Sequence, residues 1–173
     1  MPQDYEVIQS LLARYCFMTD RGSAEDIAAL FWDDATVVFD KNTNAGVEAF
    51  TAGFQAWITK MRDPVEGLRH VLHTPCIEVT GDRARAEAYY DADCHAGRKK
   101  RWTQLRGVYR DELEKRAGEW RFIRKEVEIW RRPGDEWRKA DCHATSRRNT
   151  ASRSNTRSTM FSLNSHHQLH SPA

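Results

Sequence analysis

Three histidines lie within the first 137 residues, and histidine is the side chain best suited to moving protons near neutral pH. They are His70, His73 and His95. An acidic residue that could act with them is Asp20, which ends a predicted helix. The helix dipole disfavours a carboxylate at that end, so a cationic or hydrogen-bonding partner is expected there. The alternative is that Asp20 caps the chain reversal that follows it.

The faces of two predicted strands decide which of these side chains can meet. In the strand predicted over residues 68–80, His70 and His73 point to opposite faces, because side chains alternate along a strand. They cannot both enter one pocket unless a bulge intervenes. The next strand places four polar side chains on one face: Tyr89, Asp91, Asp93 and His95. These four side chains could line a pocket, because a pocket needs polar groups on the concave side of such a sheet. The same alternation fits a row that faces solvent equally well.

The elements that would position these residues follow an α+β order, with helices first and an antiparallel meander after them. Apolar residues recur at three- and four-residue spacing in two stretches, which predicts helices over residues 5–20 and 47–61. Ser23 is a candidate N-cap of a short helix that reaches Phe31. β-Prone runs predict strands over residues 36–39, 68–80, 83–95, 102–115 and 120–130. We therefore expect a curved mixed or antiparallel sheet, wrapped around the N-terminal helices as a cone with a pocket.

The distribution of charge divides the chain into two parts. The 173 residues carry 27 Lys+Arg and 25 Asp+Glu, a net charge of +2. Six basic residues and one acid fall within residues 138–173, a net +5, which leaves a net −3 for residues 1–137. Residues 133–173 are rich in Ser, Thr, Arg and His and lack apolar periodicity, which is typical of a disordered segment. The sequence thus predicts a cone domain over residues 1–132 and a basic flexible tail over residues 133–173.

Composition argues against several classes of protein. No run of about 18 apolar residues could span a membrane, and the start lacks the basic-then-apolar order of a secretory signal, so a cytoplasmic location is expected. The four cysteines lack C-x-x-C spacing, which argues against a structural zinc site and favours buried free thiols. The basic residues of the tail could attract nucleic acid or anionic lipid, but a solvated tail is favoured, so neither nucleic acid nor a membrane is expected as a partner.

Five short stretches within residues 5–130 form a recognisable combination. They are Leu11-Leu12-Ala13-Arg14-Tyr15, Asp20-Arg21-Gly22, Asp33-Asp34-Ala35, Arg69-His70 and Gly107-Val108-Tyr109-Arg110-Asp111. This combination resembles SnoaL-like proteins of the nuclear transport factor 2-like superfamily. The resemblance implies a cone-shaped α+β fold and, in the enzyme members, cofactor-free proton abstraction inside the cone.

The resemblance also implies roles for individual residues. In dehydratase-like members, an aspartate that ends the first helix pairs with a histidine at the start of the long strand, and these positions match Asp20 and His70. Members similar to bile acid 7α-dehydratase add a helix tyrosine and a strand aspartate, which match Tyr15 and Asp93. Members similar to scytalone dehydratase have a second histidine instead, which matches His95. The sequence carries both sets, so the subfamily stays open.

In this interpretation His70 is a general base held by Asp20. Tyr15 donates a hydrogen bond to the negative charge that develops on the substrate as a bond breaks. The expected activity is that of a cofactor-independent lyase, a dehydratase or less readily a dehydrohalogenase, acting on a small hydrophobic cyclic substrate. Aromatic residues available to line its pocket are Phe17, Phe39, Phe54, Trp57 and Trp102. No metal ion or other cofactor is expected.

Three other functions fit the same residues. The cone could be a non-catalytic ligand-binding or assembly module, in which Asp20 and His70 need not converge. It could be an isomerase similar to ketosteroid isomerase. His70, His95 and Asp93 could instead form a two-histidine, one-carboxylate iron site. Aromatic residues on the hairpin of the last two strands favour a homo-oligomer, and the resemblance to dehydratases favours a trimer.

Overall fold

A computed structural model describes residues 2–130 of the chain. Within this range, helices come first and most of the sheet follows them, so the predicted α+β class is confirmed. The predicted basic tail, residues 133–173, lies outside the described residues, as does the boundary predicted at residue 132.

Three α-helices lie in the first half of the described chain. α1 (Pro2–Arg21) buries one apolar face, which includes Ile8, Leu11, Leu12 and Tyr15. α2 (Ala24–Ala28) begins after Ser23, whose hydroxyl accepts the Asp26 N–H at 3.0 Å while the Asp26 carboxylate accepts the Ser23 N–H at 2.9 Å. This reciprocal pair is a capping box, which satisfies two backbone donors at once. α3 (Val47–Trp57) continues into a π-helical turn over Ile58–Arg62.

The strands form one mixed sheet within the described residues. They are β1 (Phe31–Phe39), β2 (Asn42–Ala45), β3 (Glu66–Leu72), β4 (Cys76–Thr80), β5 (Arg83–Ala96), β6 (Arg101–Arg116) and β7 (Glu119–Ile129). Their order is β2-β1-β7-β6-β5-β3, and β4 pairs with β5 next along the edge from β3. β1 and β7 are parallel, and the other pairs are antiparallel. The expected mixed sheet that follows N-terminal helices is confirmed.

The core lies between the helices and the face of the sheet that we call the inner face. On β5 the side chains that point to this face are Ala84, Ala86, Ala88, Tyr90 and Ala92, all buried. Small side chains leave room for the helices to approach the sheet closely. The alternate residues of β5 point to the opposite, outer face.

Three stretches differ from the prediction for physical reasons. The strand expected over residues 68–80 is broken into β3 and β4 just before Pro75, because proline has no N–H to donate to a ladder. β2 was not predicted, because Asn-rich segments have low β-propensity; its pairing with β1 holds it in the sheet. Phe31 begins β1 instead of ending a helix, and the neighbouring Leu30 carbonyl accepts the Phe122 N–H at 3.0 Å. Tertiary pairing thus overrides the local apolar spacing.

The structure bears on two expectations from composition, the lack of a membrane span and the burial of the cysteines. No helix within residues 2–130 is long and apolar enough to cross a membrane. Cys16 is a buried free thiol as expected, whereas Cys94 is half-buried and Cys76 is exposed. Cys142 lies outside the described residues.

Candidate active site

The side chains of Asp20 and His70 meet although 50 positions separate them in the sequence. Asp20 lies in the last turn of α1, and His70 lies on the inner side of β3, against which α1 packs. The Asp20 Oδ1 atom is 2.6 Å from His70 Nδ1, and both carboxylate oxygens accept the His70 backbone N–H at 3.1 Å. The side chains of His70 and Asp20 are only 9% and 14% exposed. The pair is therefore enclosed and held by main chain as well as side chain.

These bonds determine which nitrogen of the imidazole can act as a base. An ionised carboxylate only accepts hydrogen bonds, so the Nδ1 atom facing Asp20 must carry a proton. In the neutral imidazole the lone pair is then on Nε2, the nitrogen that points away from Asp20. The arrangement can accept a proton at Nε2 and stabilise the resulting imidazolium through Asp20.

The end of α1 is shaped to present Asp20 in this way. The Gly22 N–H donates to the Met18 carbonyl at 2.7 Å, and a Cβ on Gly22 would lie only 2.8 Å from that same oxygen. Only glycine fits this close approach, and Gly22 follows directly after the last helical residue, Arg21. The alternative that Asp20 caps this chain reversal is not what the structure shows, because its carboxylate accepts from His70 instead.

A row of aromatic rings extends from His70 into the core. The His70 ring lies 6.4 Å from Trp57 and 6.1 Å from Tyr90, measured between centroids. Tyr90 stacks on Tyr109 at 4.0 Å with an interplanar angle of 5°. Tyr109 in turn meets the edge of Tyr15 at 5.7 Å. Tyr90, Tyr109 and Tyr15 pack against one another and are buried, so Trp57 is the ring of this row that a flat apolar ligand beside His70 could contact.

Tyr15 lies at the far end of this row. It is buried and contacts Tyr109, Phe31 and Phe122 rather than the His70 ring. Burial raises the pKa of the Tyr15 phenol well above its usual range. Burial likewise raises the pKa of Tyr90. Both phenols therefore stay neutral near pH 7 and can donate a hydrogen bond.

Asp93 and His95 do not join this site. β3 and β5 pair so that Arg69 lies opposite Asp93 and His70 lies opposite Ala92. Asp93 consequently points to the outer face, where its carboxylate binds Arg69 at 2.7 Å, and His95 is exposed on the same side. The polar row of β5 thus faces outward, contrary to its expected place in the pocket.

The alternative of an iron site is wrong for the same reason. His70 lies on the inner face of the sheet, whereas Asp93 and His95 lie on the outer face, so the three cannot converge on one ion. Within the described part of the chain, no group of three or more His, Cys, Asp or Glu side chains is placed to hold a metal ion.

The aromatic residues predicted to line the pocket are divided among three environments. Trp57 is partly buried and is the one that lies beside His70. Phe54 packs in the core, where it contacts Phe31 at 5.6 Å between centroids, and Phe39 is partly buried against that core. Trp102 and Phe17 are 59% and 52% exposed, so neither lines an enclosed pocket in this chain.

A buried ion pair between Lys125 and Asp111 was missed by sequence reasoning. Lys125 Nζ lies 2.9 Å from Asp111 Oδ1 and 4.0, 4.1 and 4.8 Å from the centroids of Tyr15, Tyr109 and Phe122. Burial raises the pKa of the Asp111 carboxyl, although Lys125 acts in the opposite direction. Alternation could have found Asp111, which occupies an inward position between Tyr109 and Leu113 on β6. It could not have found Lys125, because a register shift in the pairing with β6 puts Lys125 out of phase with Trp120 and Phe122 on β7.

An open groove of about 410 Å³ lies away from these residues, at the far ends of β4, β5 and β6. Its lining is largely charged and includes Glu78, Arg83, Arg85 and Glu112. It contains neither histidine nor an enclosed apolar wall. The Asp20–His70 pair with its aromatic row is therefore the stronger candidate for chemistry.

Comparison with known proteins places the chain in a family and a fold. Residues 2–126 match the model of the SnoaL-like domain. No curated protein matches the sequence significantly. A protein of unknown function from Mycobacterium tuberculosis is 25% identical, with a TM-score of 0.68 over 78% of this chain and 81% of its own.

Two further solved structures share the fold. A proposed scytalone dehydratase from Novosphingobium aromaticivorans DSM 12444 is 24% identical, with a TM-score of 0.65 over 74% of this chain and 85% of its own. A hexachlorocyclohexane dehydrochlorinase (LinA, type 2) is 19% identical, with a TM-score of 0.62 over 73% and 85%. At these identities the likeness shows the fold alone.

Proposed function

Because the chain belongs to the SnoaL-like domain family, we propose that it is a cofactor-independent lyase that eliminates water, or less readily halide, from a small hydrophobic ring compound. The observation that carries the proposal is the 2.6 Å contact between Asp20 Oδ1 and His70 Nδ1 inside the fold. It supplies a base of fixed tautomer, which is the element that such an elimination requires.

The steps of the reaction follow from this geometry. The Nε2 lone pair of His70 removes a proton from the carbon next to the one that bears the leaving group. The electron pair of the broken C–H bond forms the new double bond, and the leaving group departs with its own bonding pair. Asp20 stabilises the imidazolium, and the low exposure of the pair strengthens that interaction.

A hydrogen-bond donor opposite the base would protonate a departing hydroxide to water. Tyr15 is the donor that the resemblance implies, and its neutral phenol suits the role. Tyr90 lies nearer to His70 and is neutral for the same reason. The proton taken up by His70 returns to the phenolate after water leaves, which restores both groups. Tyr15→Phe and Tyr90→Phe distinguish the two. Only the substitution that removes the true donor should lower turnover of a hydroxylated substrate while leaving turnover of a halogenated one unchanged.

The substrate class rests on the walls of the site and on the fold neighbours. Trp57, which is partly buried, and Tyr90 both lie beside His70, so the surroundings of the base are aromatic. The names of two fold neighbours, a proposed scytalone dehydratase and a hexachlorocyclohexane dehydrochlorinase, both describe eliminations. Together these observations support a hydroxylated or halogenated ring as the substrate.

The test is a screen of hydroxylated and halogenated ring compounds for elimination products, detected by mass spectrometry. With a substrate in hand, His70→Ala should lower kcat by about 10²–10⁴-fold, the usual contribution of a general base. Asp20→Asn should lower it by about 10²-fold, because a misplaced imidazole loses its alignment with the substrate.

The chain offers a matched control for these variants. His73 and Asp91 form a second pair, with His73 Nε2 3.0 Å from Asp91 Oδ2, but on the exposed outer side. His73→Ala and Asp91→Asn should leave turnover within about twofold of wild type. Full activity of both H70A and D20N on a true substrate would end the proposal.

Two other functions would give different results in the same screen. An isomerase would yield a product of the same mass as its substrate, whereas a lyase yields one lighter by water or hydrogen halide. A non-catalytic binding module would bind ring compounds with no turnover, and H70A would then bind them as wild type does. The close contact of Asp20 and His70 favours the lyase, because a binding module has no need for a base of fixed tautomer.

A further inference from the structure

Arg62 reaches from the end of the π-helical turn to the end of α1. Its Nη1 atom donates to the Gly22 carbonyl at 2.5 Å and to the Thr19 carbonyl at 3.3 Å. The Arg62 side chain is 17% exposed. Thr19 comes just before Asp20 and Gly22 comes two residues after it, so one guanidinium binds the backbone on both sides of the carboxylate-bearing residue.

The end of a helix explains why this contact is effective. The last four carbonyls of a helix have no partner within it and carry a partial negative charge. Thr19 supplies one of these carbonyls, and a guanidinium satisfies it with both a donor and a positive charge. Asp63, at 3.8 Å and 58% exposed, is the carboxylate near Arg62, so the guanidinium is not drawn away into a buried ion pair.

The π-helical turn gives Arg62 this direction. The Asp63 N–H donates to the Ile58 carbonyl at 2.9 Å, five residues earlier, which is the bond that defines a π turn. A π turn takes more residues than an α turn, so the side chains after it shift around the helix axis. Trp57, the last residue of α3, directly precedes this turn and lies beside His70. The Val65 N–H then bonds to the Arg62 carbonyl at 3.1 Å, and β3 with His70 follows directly.

We propose that Arg62 is a positioning residue, which clamps the end of α1 to the segment that leads into β3 and so holds Asp20 against His70. This inference rests on the proposed function for its consequence in catalysis, but the clamp itself concerns only the geometry of the two residues. Removal of the guanidinium frees the Thr19 and Gly22 carbonyls, and the last turn of α1 loses its tie to residues 58–62. Asp20 then no longer holds a single orientation against the imidazole.

The experiment is NMR of the full chain with ¹⁵N-labelled histidine, which reports on His70 without any substrate. In wild type, the Nδ1 proton that bonds to Asp20 should give a slowly exchanging downfield signal, and the ring nitrogens should show the Nδ1–H tautomer. Arg62→Ala should abolish the slow-exchange signal and give averaged ring nitrogens. Arg62→Lys should restore most of the signal, because an ammonium can still donate to both carbonyls.

Arg21→Ala is the matched control. It removes one positive charge from the same helix end, but Arg21 stacks over the Phe17 ring at 5.0 Å and gives no bond to the two carbonyls. R21A should keep the His70 signals of wild type. Unchanged His70 signals in R62A, or equal loss in R21A and R62A, would overturn the proposal. If R62A fails to fold, Arg62→Gln is measured in its place, and wild-type exchange of the Nδ1 proton in that variant would likewise overturn it.

Turnover gives the second readout and separates the two proposals. On a substrate found by the screen above, R62A should lower kcat by about tenfold or more with KM within about twofold, since the loss is one of alignment. If R62A loses the His70 signals but wild type turns over no compound of the screen, the clamp is supported and the lyase proposal is refuted. Turnover that falls in H70A but not in R62A would support the lyase and refute the clamp.

Discussion

Lys125 and Asp111 allow a direct test of what an ion pair costs inside this fold. Lys125 Nζ lies 2.9 and 3.0 Å from the two Asp111 oxygens, and the two side chains are 1% and 2% exposed. Lys125→Met keeps a long apolar side chain but leaves the carboxylate without its cation. We expect this single substitution to destabilise the fold strongly, whereas K125M combined with Asp111→Leu should be far less harmful, because no buried charge then remains.

The cost of the single substitution should depend on pH. Loss of one partner of a buried ion pair costs about 3–5 kcal/mol. The protein can instead protonate Asp111, which costs about 1.36 kcal/mol for each pH unit above the ordinary pKa of 3.8. The cost of protonating Asp111 sets an upper limit on the destabilisation by K125M, which is about 4.4 kcal/mol at pH 7 but only about 1.6 kcal/mol at pH 5. A carboxyl whose pKa is raised by burial binds more protons when folded than when unfolded, so the stability of K125M should rise as the pH falls toward 4.

Urea unfolding at pH 7 and at pH 5 measures these differences. Relative to wild type, K125M should lose about 4 kcal/mol at pH 7 and about 2 kcal/mol at pH 5, with an unchanged slope against urea. The double variant should stay within about 1–2 kcal/mol of wild type at both values. Equal destabilisation of K125M at the two pH values, or a single variant no worse than the double one, would refute the argument that an unpaired carboxylate carries the cost.

Three shorter predictions concern packing, assembly and chain length. Gly107→Ala should lower the midpoint of thermal unfolding markedly, because its Cβ would clash with the Glu128 carbonyl oxygen and lie 2.7 Å from the Tyr90 ring; an unchanged midpoint would contradict this packing. We propose that Tyr89 and Trp130, exposed and 5.3 Å apart on the outer face, contribute to a homo-oligomer, a trimer in preference. Sedimentation should then give three times 20.1 kDa for wild type and a smaller species for Trp130→Glu. A chain that ends at Arg132 should keep the circular dichroism and the unfolding midpoint of the full chain, and loss of either would show that the predicted domain boundary is wrong.

The order of elements was readable from the sequence, but the orientation of the sheet was not. Period-two alternation separates the two faces of β5 without saying which one is buried. The expectation of a polar pocket favoured the face of Asp93 and His95, whereas the alanines and Tyr90 form the buried one. Small apolar side chains are the better indicator of a face that helices cover, because burial of a charged row costs far more than burial of alanine.

The site was readable in part, through the resemblance rather than through spacing. No local pattern links Asp20 to His70, because their contact depends on how α1 packs against β3. Arg62 carries no signal at all in the sequence, since its direction depends on a π turn that propensity does not predict. Asp111 was readable in principle, as a charge at an inward position of β6 between apolar neighbours, whereas Lys125 is inward only because the register of β7 shifts before it. Contacts between residues far apart in the sequence, and irregular turns, therefore cannot be predicted from local sequence patterns.

Two histidines close together in the chain each meet an aspartate, His70 the Asp20 of α1 and His73 the Asp91 of β5, and their surroundings differ. The His73 side chain is 51% exposed, and Arg106 approaches the same Asp91 carboxylate at 3.6 Å, so water and a second cation compete for it. An interaction of this kind is weak and screened by salt. His70 is enclosed, and Asp20 is committed to it by three hydrogen bonds. Because the two histidines are an odd number of residues apart, a shift of β3 by one residue would exchange them between the faces. The register of β3 against β5 therefore decides which histidine can serve as a base.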